Sequence, residues 1–255
     1  MEMLTLTEIR NTLQFSLSEI EHVLSLIKTD VRNDLRRSAI LIFCSIYEQS
    51  YVCVDLINSK GANTVPIIVR SILESQIDLE NIANDENEEY VISLRVKFLE
   101  KRKKFYKNYV TKFEGKRTKK EKEIEKKYES TINELKSLKK SGASSLSIYQ
   151  KFSNLNLNEL YATHYATVCL DSHNDISILE KKHLSIKRDS IDFEVFKRRD
   201  VAFIKAYLRL LISALYSGIC NILIILDIEK DQKTNEILTQ LKIYSDVIIS
   251  SEIEY

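Results

Sequence analysis

Glycine and proline are nearly missing from this chain. Its 255 residues include four glycines and a single proline, Pro66, where average usage of roughly 7% and 5% gives about thirty. Sandwiches, barrels and doubly wound sheets need glycine at tight turns and in phosphate loops, so the shortage excludes them and leaves long helices joined by short connections. The expected class is all-α, a multi-helix bundle. Paired cysteine motifs are missing too: Cys44, Cys53, Cys169 and Cys220 lie in apolar surroundings with no CxxC pair. That pattern fits reduced thiols used as small core residues, not zinc ligands or a disulfide frame, and it points to a cytoplasmic location. Neither sign of charge prevails, with 38 Lys and Arg against 37 Asp and Glu, so the whole chain has no electrostatic bias toward nucleic acid or membrane.

Other absences narrow the function. The first six residues lack a basic region followed by an apolar core, so no secretory signal is expected. The most apolar run, Leu210 to Leu226, contains Ser213, Ser217 and Asn221 and follows Arg209. It falls short of the roughly 20 apolar residues of a membrane span and reads as a helix buried in a bundle or dimer core, with no membrane partner. No GxxxxGK[ST], GxGxxG, HExxH, paired CxxC or GxSxG occurs, which argues against ATPases, Rossmann oxidoreductases, zincins and serine hydrolases. No metal and no cofactor is expected. None of His22, His164, His173 and His183 has an arginine four to six residues before it, the spacing of the ribonuclease motif in HEPN-type helical toxins.

What is present is helical periodicity. Leu6, Ile9, Leu13, Leu17, Ile20, Leu24 and Ile27 advance by three or four and predict a helix over 4–28. Asp30 is positioned to cap a second over 31–58, which ends at an Asn58-Ser59-Lys60-Gly61 turn. A third over 64–84 tolerates Pro66 in its first turn, and a fourth runs over 88–113. Thr118-Lys119-Lys120-Glu121 is a capping box that opens a fifth helix, ending at Lys140 before Ser141-Gly142. A short helix over 157–173 precedes a polar stretch with a small strand at Leu184-Ser185-Ile186. Helices over 193–226 and 232–248 close the chain. The reading is one domain, 1–255, with 88–140 inserted as a projecting basic helical hairpin.

That hairpin carries segregated charge. Residues 101–140 hold sixteen basic and six acidic side chains, a local +10, against 22 and 31 elsewhere, a net −9. Lys103, Lys104, Lys119, Lys120, Lys126 and Lys127 could follow a nucleic-acid backbone, with Phe105, Tyr106, Tyr109 and Phe113 available for stacking. The same composition also describes a hairpin whose lysines alternate with Glu121, Glu123 and Glu125 for solubility.

Two segments place polar residues in unexpected company. Arg70 and Glu74 are one helical turn apart, flanked by Ile67 and Ile77, which hints at partial burial; a solvated i,i+4 pair opposite the apolar stripe Val65, Ile68, Ile72 and Leu79 is the plainer account. Tyr161, Tyr165, Cys169 and His173 recur every four residues and put His173 at a helix C-terminus. A titratable imidazole there can give or take a proton, or merely cap the last carbonyls.

Together, Arg70-Ser71-Ile72-Leu73-Glu74 and Tyr161, Tyr165, Cys169 and His173 resemble the R-S-x-L-E and Y-x-x-x-Y-x-x-x-S-x-x-x-H motifs of a bacterial family, the domains of unknown function numbered 5677. Cys169 stands where that pattern has serine. The resemblance extends over about 30–225 and implies an all-helical protein, some of whose relatives lie near phage-defence genes, with a partner protein encoded nearby. The expected function is a toxin-like effector that cleaves RNA phosphodiesters without metal: His173 as general acid or base, Arg70 holding the phosphate, Glu74 orienting Arg70, and Tyr161 or Tyr165 as secondary donors. The alternative is a non-catalytic interaction module in which these residues form a structural polar network. A homodimer through 201–226 is expected, because apolar residues cover nearly the whole circumference of that helix.

Overall fold

A computed structural model describes residues 3–27, 33–57, 59–85, 87–113, 117–172, 176–187, 190–193, 195, 200–250 and 252–254. The chain is all-α. A short strand β1 (Met3–Thr5) leads into α1 (Leu6–Leu26), opened by a capping box in which Thr5 Oγ1 accepts from the Glu8 amide and the Glu8 carboxylate accepts from the Thr5 amide. Then come α2 (Asp34–Ile57), a 3₁₀ turn (Ala62–Thr64) and α3 (Val65–Ala83), with Pro66 in the first turn of α3, where its missing N–H costs nothing. Asp30, the expected cap of α2, lies outside the described residues.

Next are α4 (Glu89–Val110) and α5 (Lys119–Lys140), followed by α6 (Ile148–Asn154), which the sequence reading left out. The helix expected over 157–173 is broken into α7 (Asn158–Leu160), a π-helical turn (Tyr161–Tyr165) and α8 (Ala166–Ser172). The polar stretch that follows is more ordered than expected, with α9 (Ile176–His183) and an antiparallel ladder of β2 (Leu184–Lys187) with β3 (Ser190–Phe193). Finally α10 (Val201–Leu226), capped by Asp200, and α11 (Gln232–Ser250) lead to β4 (Glu252–Glu254), which pairs in parallel with β1.

Two compact units result, one of Met1–Ala83 with Phe152–Tyr255 and the other of Asn84–Lys151. In the first, α2, α3 and α10 pack on one another, with α1 and α11 alongside. Phe43, Ile46, Ile72, Leu79, Leu208, Leu215 and Ile219 are completely or almost completely buried. On α10, Gly218 faces Phe43 of α2, where an added Cβ would stand 3.4 Å from the Phe43 ring. Twelve residues of α10 are buried within one chain, where the helix packs against α2, α3 and α11, while Tyr216 and Ile224 on it stay exposed. By length and composition both α2 and α10 could cross a membrane, with 18-residue windows of mean hydropathy 1.5 and 1.9; here 33% and 50% of those windows are buried.

In the second unit α4 and α5 form a helical pair around Val96, Leu99 and Leu135. Arg95 pairs with Glu134 at 2.7 Å and Lys139 with Glu100 at 2.5 Å, tying the two helices along their length. The expected capping box is present: Thr118 Oγ1 accepts from the Glu121 amide at 3.3 Å and Glu121 Oε2 accepts from the Thr118 amide at 2.7 Å. Gly142, at φ +91°, ends α5, with the Ala143 amide bonded back to the Leu138 carbonyl.

Candidate functional site

Helix α3 turns Val69, Ile72, Leu73 and Gln76 inward. Arg70 and Glu74 fall at the edge of that buried face, between exposed Ile67 and buried Ile77. The side chains are 31% and 39% exposed, and Arg70 Nε donates to Glu74 Oε1 at 3.1 Å. Because α8 packs against α3, the second sequence segment comes to the same place, although it is about 100 residues further along. Tyr165 Oη donates to Glu74 Oε1 at 2.7 Å, and the Arg70 guanidinium lies 6.0 Å above the Tyr165 ring. A single carboxylate oxygen therefore receives both Arg70 and Tyr165.

The π turn explains the tyrosine arrangement. Its wider turn keeps Tyr161 and Tyr165 stacked, with centroids 5.5 Å apart and planes at 21°, while Phe152 meets both rings, edge-on to Tyr161 and tilted to Tyr165. Only 4% of Tyr165 is exposed. Burial first, and then its bond to Glu74, pushes the Tyr165 phenol well above its ordinary range. It stays protonated, and its proton is committed to Glu74. Tyr165 therefore braces Glu74. Tyr161 sits one layer further out, on the outer face of the stack.

Sequence reasoning missed Ser172. Its Oγ lies 3.4 Å from the Arg70 guanidinium and donates to the Cys169 carbonyl at 2.9 Å. It also missed Asp171, whose carboxylate accepts from Tyr207 at 2.7 Å and whose carbonyl accepts from Lys182 at 2.7 Å. These bonds anchor the last turn of α8 to α3, α9 and α10. The available signals were a hydroxyl next to His173 and the Tyr207 phenol on an apolar helix. His173 itself, the residue after Ser172, lies outside the described residues. Cys169, at the serine position of the motif, is a free, half-buried thiol. Among the described residues, no group of three His, Cys, Asp or Glu could hold a metal ion.

The nucleic-acid candidates sit in the other unit. Lys103, Lys104, Lys119, Lys120 and Lys126 are exposed and form no ion pair among the described residues, whereas Lys127 is engaged with Glu123 at 2.7 Å. On α4 the rings of Phe98, Phe105 and Tyr109 are exposed. Arg102 lies over Phe98 at 5.7 Å and over Tyr106 at 5.2 Å, and Phe105 meets Tyr109 at 4.9 Å. Phe113, the fourth ring expected to stack, lies under Arg117 at 5.8 Å.

Comparison of the sequence with known families finds a match to the Family of unknown function (DUF5677) over residues 37–192, more than half of the chain. The chain belongs to this family. No curated protein and no solved structure matches it. The DUF5677 region takes in Arg70, Glu74, Tyr161, Tyr165, Ser172 and His173 as well as α4 and α5, and it stops before α10. The helices that bring the network together thus belong to the family's own stretch of chain, while α10, which bonds the end of α8 through Tyr207, lies outside that stretch.

Proposed function

We propose that this DUF5677 protein is a toxin-like effector acting on RNA, and that Arg70 receives the scissile phosphate. One observation carries this reading: Arg70, Glu74, Tyr165 and Ser172 converge from segments about 100 residues apart, while nearly a third of the Arg70 side chain stays open to solvent. A guanidinium braced by a carboxylate and a hydroxyl keeps its planar fork aimed, and that fork suits a phosphate's paired oxygens. Glu74 holds Arg70 and Tyr165 holds Glu74. RNA brings its own nucleophile: the 2′-oxygen bonds to phosphorus, the bond from phosphorus to the 5′-oxygen breaks, and a 2′,3′-cyclic phosphate and a 5′-hydroxyl leave. His173 takes the 2′ proton, and solvent supplies the proton to the 5′-oxygen. The unpaired lysines and exposed rings of α4 and α5 supply affinity for single-stranded RNA.

A second reading is favoured by the burial of Tyr165: the network is structural, and the protein is a helical interaction module. His173→Ala separates the two. Catalysis predicts loss of RNA cleavage by about a hundredfold or more with an unchanged melting temperature. A structural role predicts a lowered melt, by on the order of 1 to 3 kcal/mol of folding free energy, and no cleavage by the parent protein; that result ends the enzyme proposal.

A further inference from the structure

The face of the π turn turned away from the Tyr161–Tyr165 stack borders a different feature. A cleft of about 400 Å³ opens between this segment and α10. Its walls are apolar, from Ala162, Val168, Ala206, Leu210 and the ring of Tyr207, and its polar groups come from Thr163, His164 and Thr167. The π turn produces this placement: the Ala166 amide reaches back five residues to the Tyr161 carbonyl, so Ala162, Thr163 and His164 are carried on a widened coil. Such turns recur at functional sites.

Counting protons settles what the cleft offers a ligand. Thr163 Oγ1 gives its only hydrogen to the Glu159 carbonyl at 2.8 Å. It therefore accepts at its second contact, and the 2.9 Å bond to His164 Nδ1 must be donated by the ring. In that tautomer Nε2 is the ring's acceptor, and it has no partner among the described residues. Thr167 Oγ1 spends its hydrogen on the Thr163 carbonyl at 2.8 Å, and Tyr207 spends its own on Asp171 at 2.7 Å. All these hydroxyl protons are committed inside the protein. The cleft presents acceptors between apolar walls.

We infer that this cleft is a binding site for a flat aromatic ring bearing an exocyclic amino group, the class that includes adenine. An apolar slot between two helices takes the body of the ring, and the amino hydrogens meet His164 Nε2 and Thr167 Oγ1. A ring without the exocyclic amino group leaves these exposed acceptors to water and forgoes its hydrogen bond to them. The inference is independent of the phosphodiester reading, because it uses none of Arg70, Glu74, Tyr165 or His173.

The test titrates the full-length protein with adenine and with purine, which lacks the amino group, and follows the His164 ring signals by NMR, assigned by comparison with His164→Ala. Adenine should shift those signals and bind about tenfold more tightly than purine, the worth of roughly one good hydrogen bond. His164→Ala should cost adenine about the same factor, with an unchanged melt, since His164 is exposed. Ala206→Leu, which fills the cleft from exposed α10 surface, should abolish binding. Equal affinity for adenine and purine, no shift at millimolar adenine, or full adenine binding by Ala206→Leu would each overturn the site. RNA cleavage can fail in the parent protein while adenine still binds, so the two proposals fall separately.

Discussion

Tyr165 shows how much a single phenol can hold. It is buried beneath Tyr161 and Phe152 with its hydroxyl committed to Glu74, so its folded form resists ionisation far more than the unfolded chain does. Tyr47 is similar, pushed up to about 12 by burial and then by the charge and hydrogen bond of Glu21. A pKa raised on folding contributes stability that is complete below the unfolded value and is lost as pH climbs toward the folded one. Stability should therefore fall as pH rises above about 10, the ordinary tyrosine value. Tyr165→Phe and Tyr47→Phe should each flatten that decline in a series of urea unfolding curves; an unchanged slope in both would show that neither phenol stays neutral for the reason given. At neutral pH, Tyr165→Phe leaves Glu74 without one of its two partners and should cost about 1 kcal/mol, read as a lower unfolding midpoint at constant m-value. The pairing of Arg70 with Glu74 was legible as i,i+4 spacing. The contact of Arg70 with Ser172 was not, because serine is too common at helix ends to mark itself.

Among the elements, the ends of helices were the most readable. Both strands of the Thr118–Glu121 capping argument appear as bonds, since a cap is settled within four residues. The C-terminal end of the same helix gives a clean prediction. Gly142 sits at φ +91° with nothing within 4 Å of a would-be Cβ, so a substitution there meets backbone strain and no steric clash. Gly142→Ala should destabilise by about 1 to 2 kcal/mol and Gly142→Asn by less, because asparagine tolerates positive φ better. Chemical denaturation of the two variants checks the ranking; equal costs would mean that φ is not the cause. The π turn, by contrast, could not be read from spacing. Four-residue recurrence of Tyr161, Tyr165 and Cys169 is consistent with an ordinary helix, and the widened coil shows only in the bond of the Ala166 amide back to the Tyr161 carbonyl.

For the whole molecule, the segregated charge is the feature with a measurable consequence. The lysines expected to contact nucleic acid are not equivalent, since Lys127 already faces Glu123 whereas Lys119, Lys120 and Lys126 form no such pair. Reversal of Lys119, Lys120 and Lys126 to glutamate should abolish RNA binding, and Lys127→Glu alone should weaken it less than Lys126→Glu does. Each neutralised lysine that contacts phosphate should also reduce the slope of log affinity against log salt by about 0.7 for a single strand. A triple variant that binds RNA as the parent does at low salt would reduce the hairpin to a solubility device. The proposed homodimer is narrowed in a similar way. With Leu208, Leu215 and Ile219 enclosed within one chain, only side chains such as Tyr216 and Ile224 remain exposed on α10 for a second copy. Light scattering at micromolar concentration, on the parent and on Ile224→Glu, measures whether they are used.

Composition and periodicity were enough for the all-α class, for most helix spans and for the basic character of the paired helices, because each depends on neighbours within a turn or two along the chain. Scarce glycine and proline leave little but helices, and a three-or-four residue apolar rhythm shows which side of each is buried. Tertiary structure alone decided that α10 packs against α2, α3 and α11, that Tyr165 bonds to Glu74, that Ser172 and Tyr207 anchor the end of α8, and that a cleft lies beside His164. Those facts come from contacts across tens to about 100 residues, and such contacts depend on how helices cross, which the order of apolar residues along any one helix does not specify.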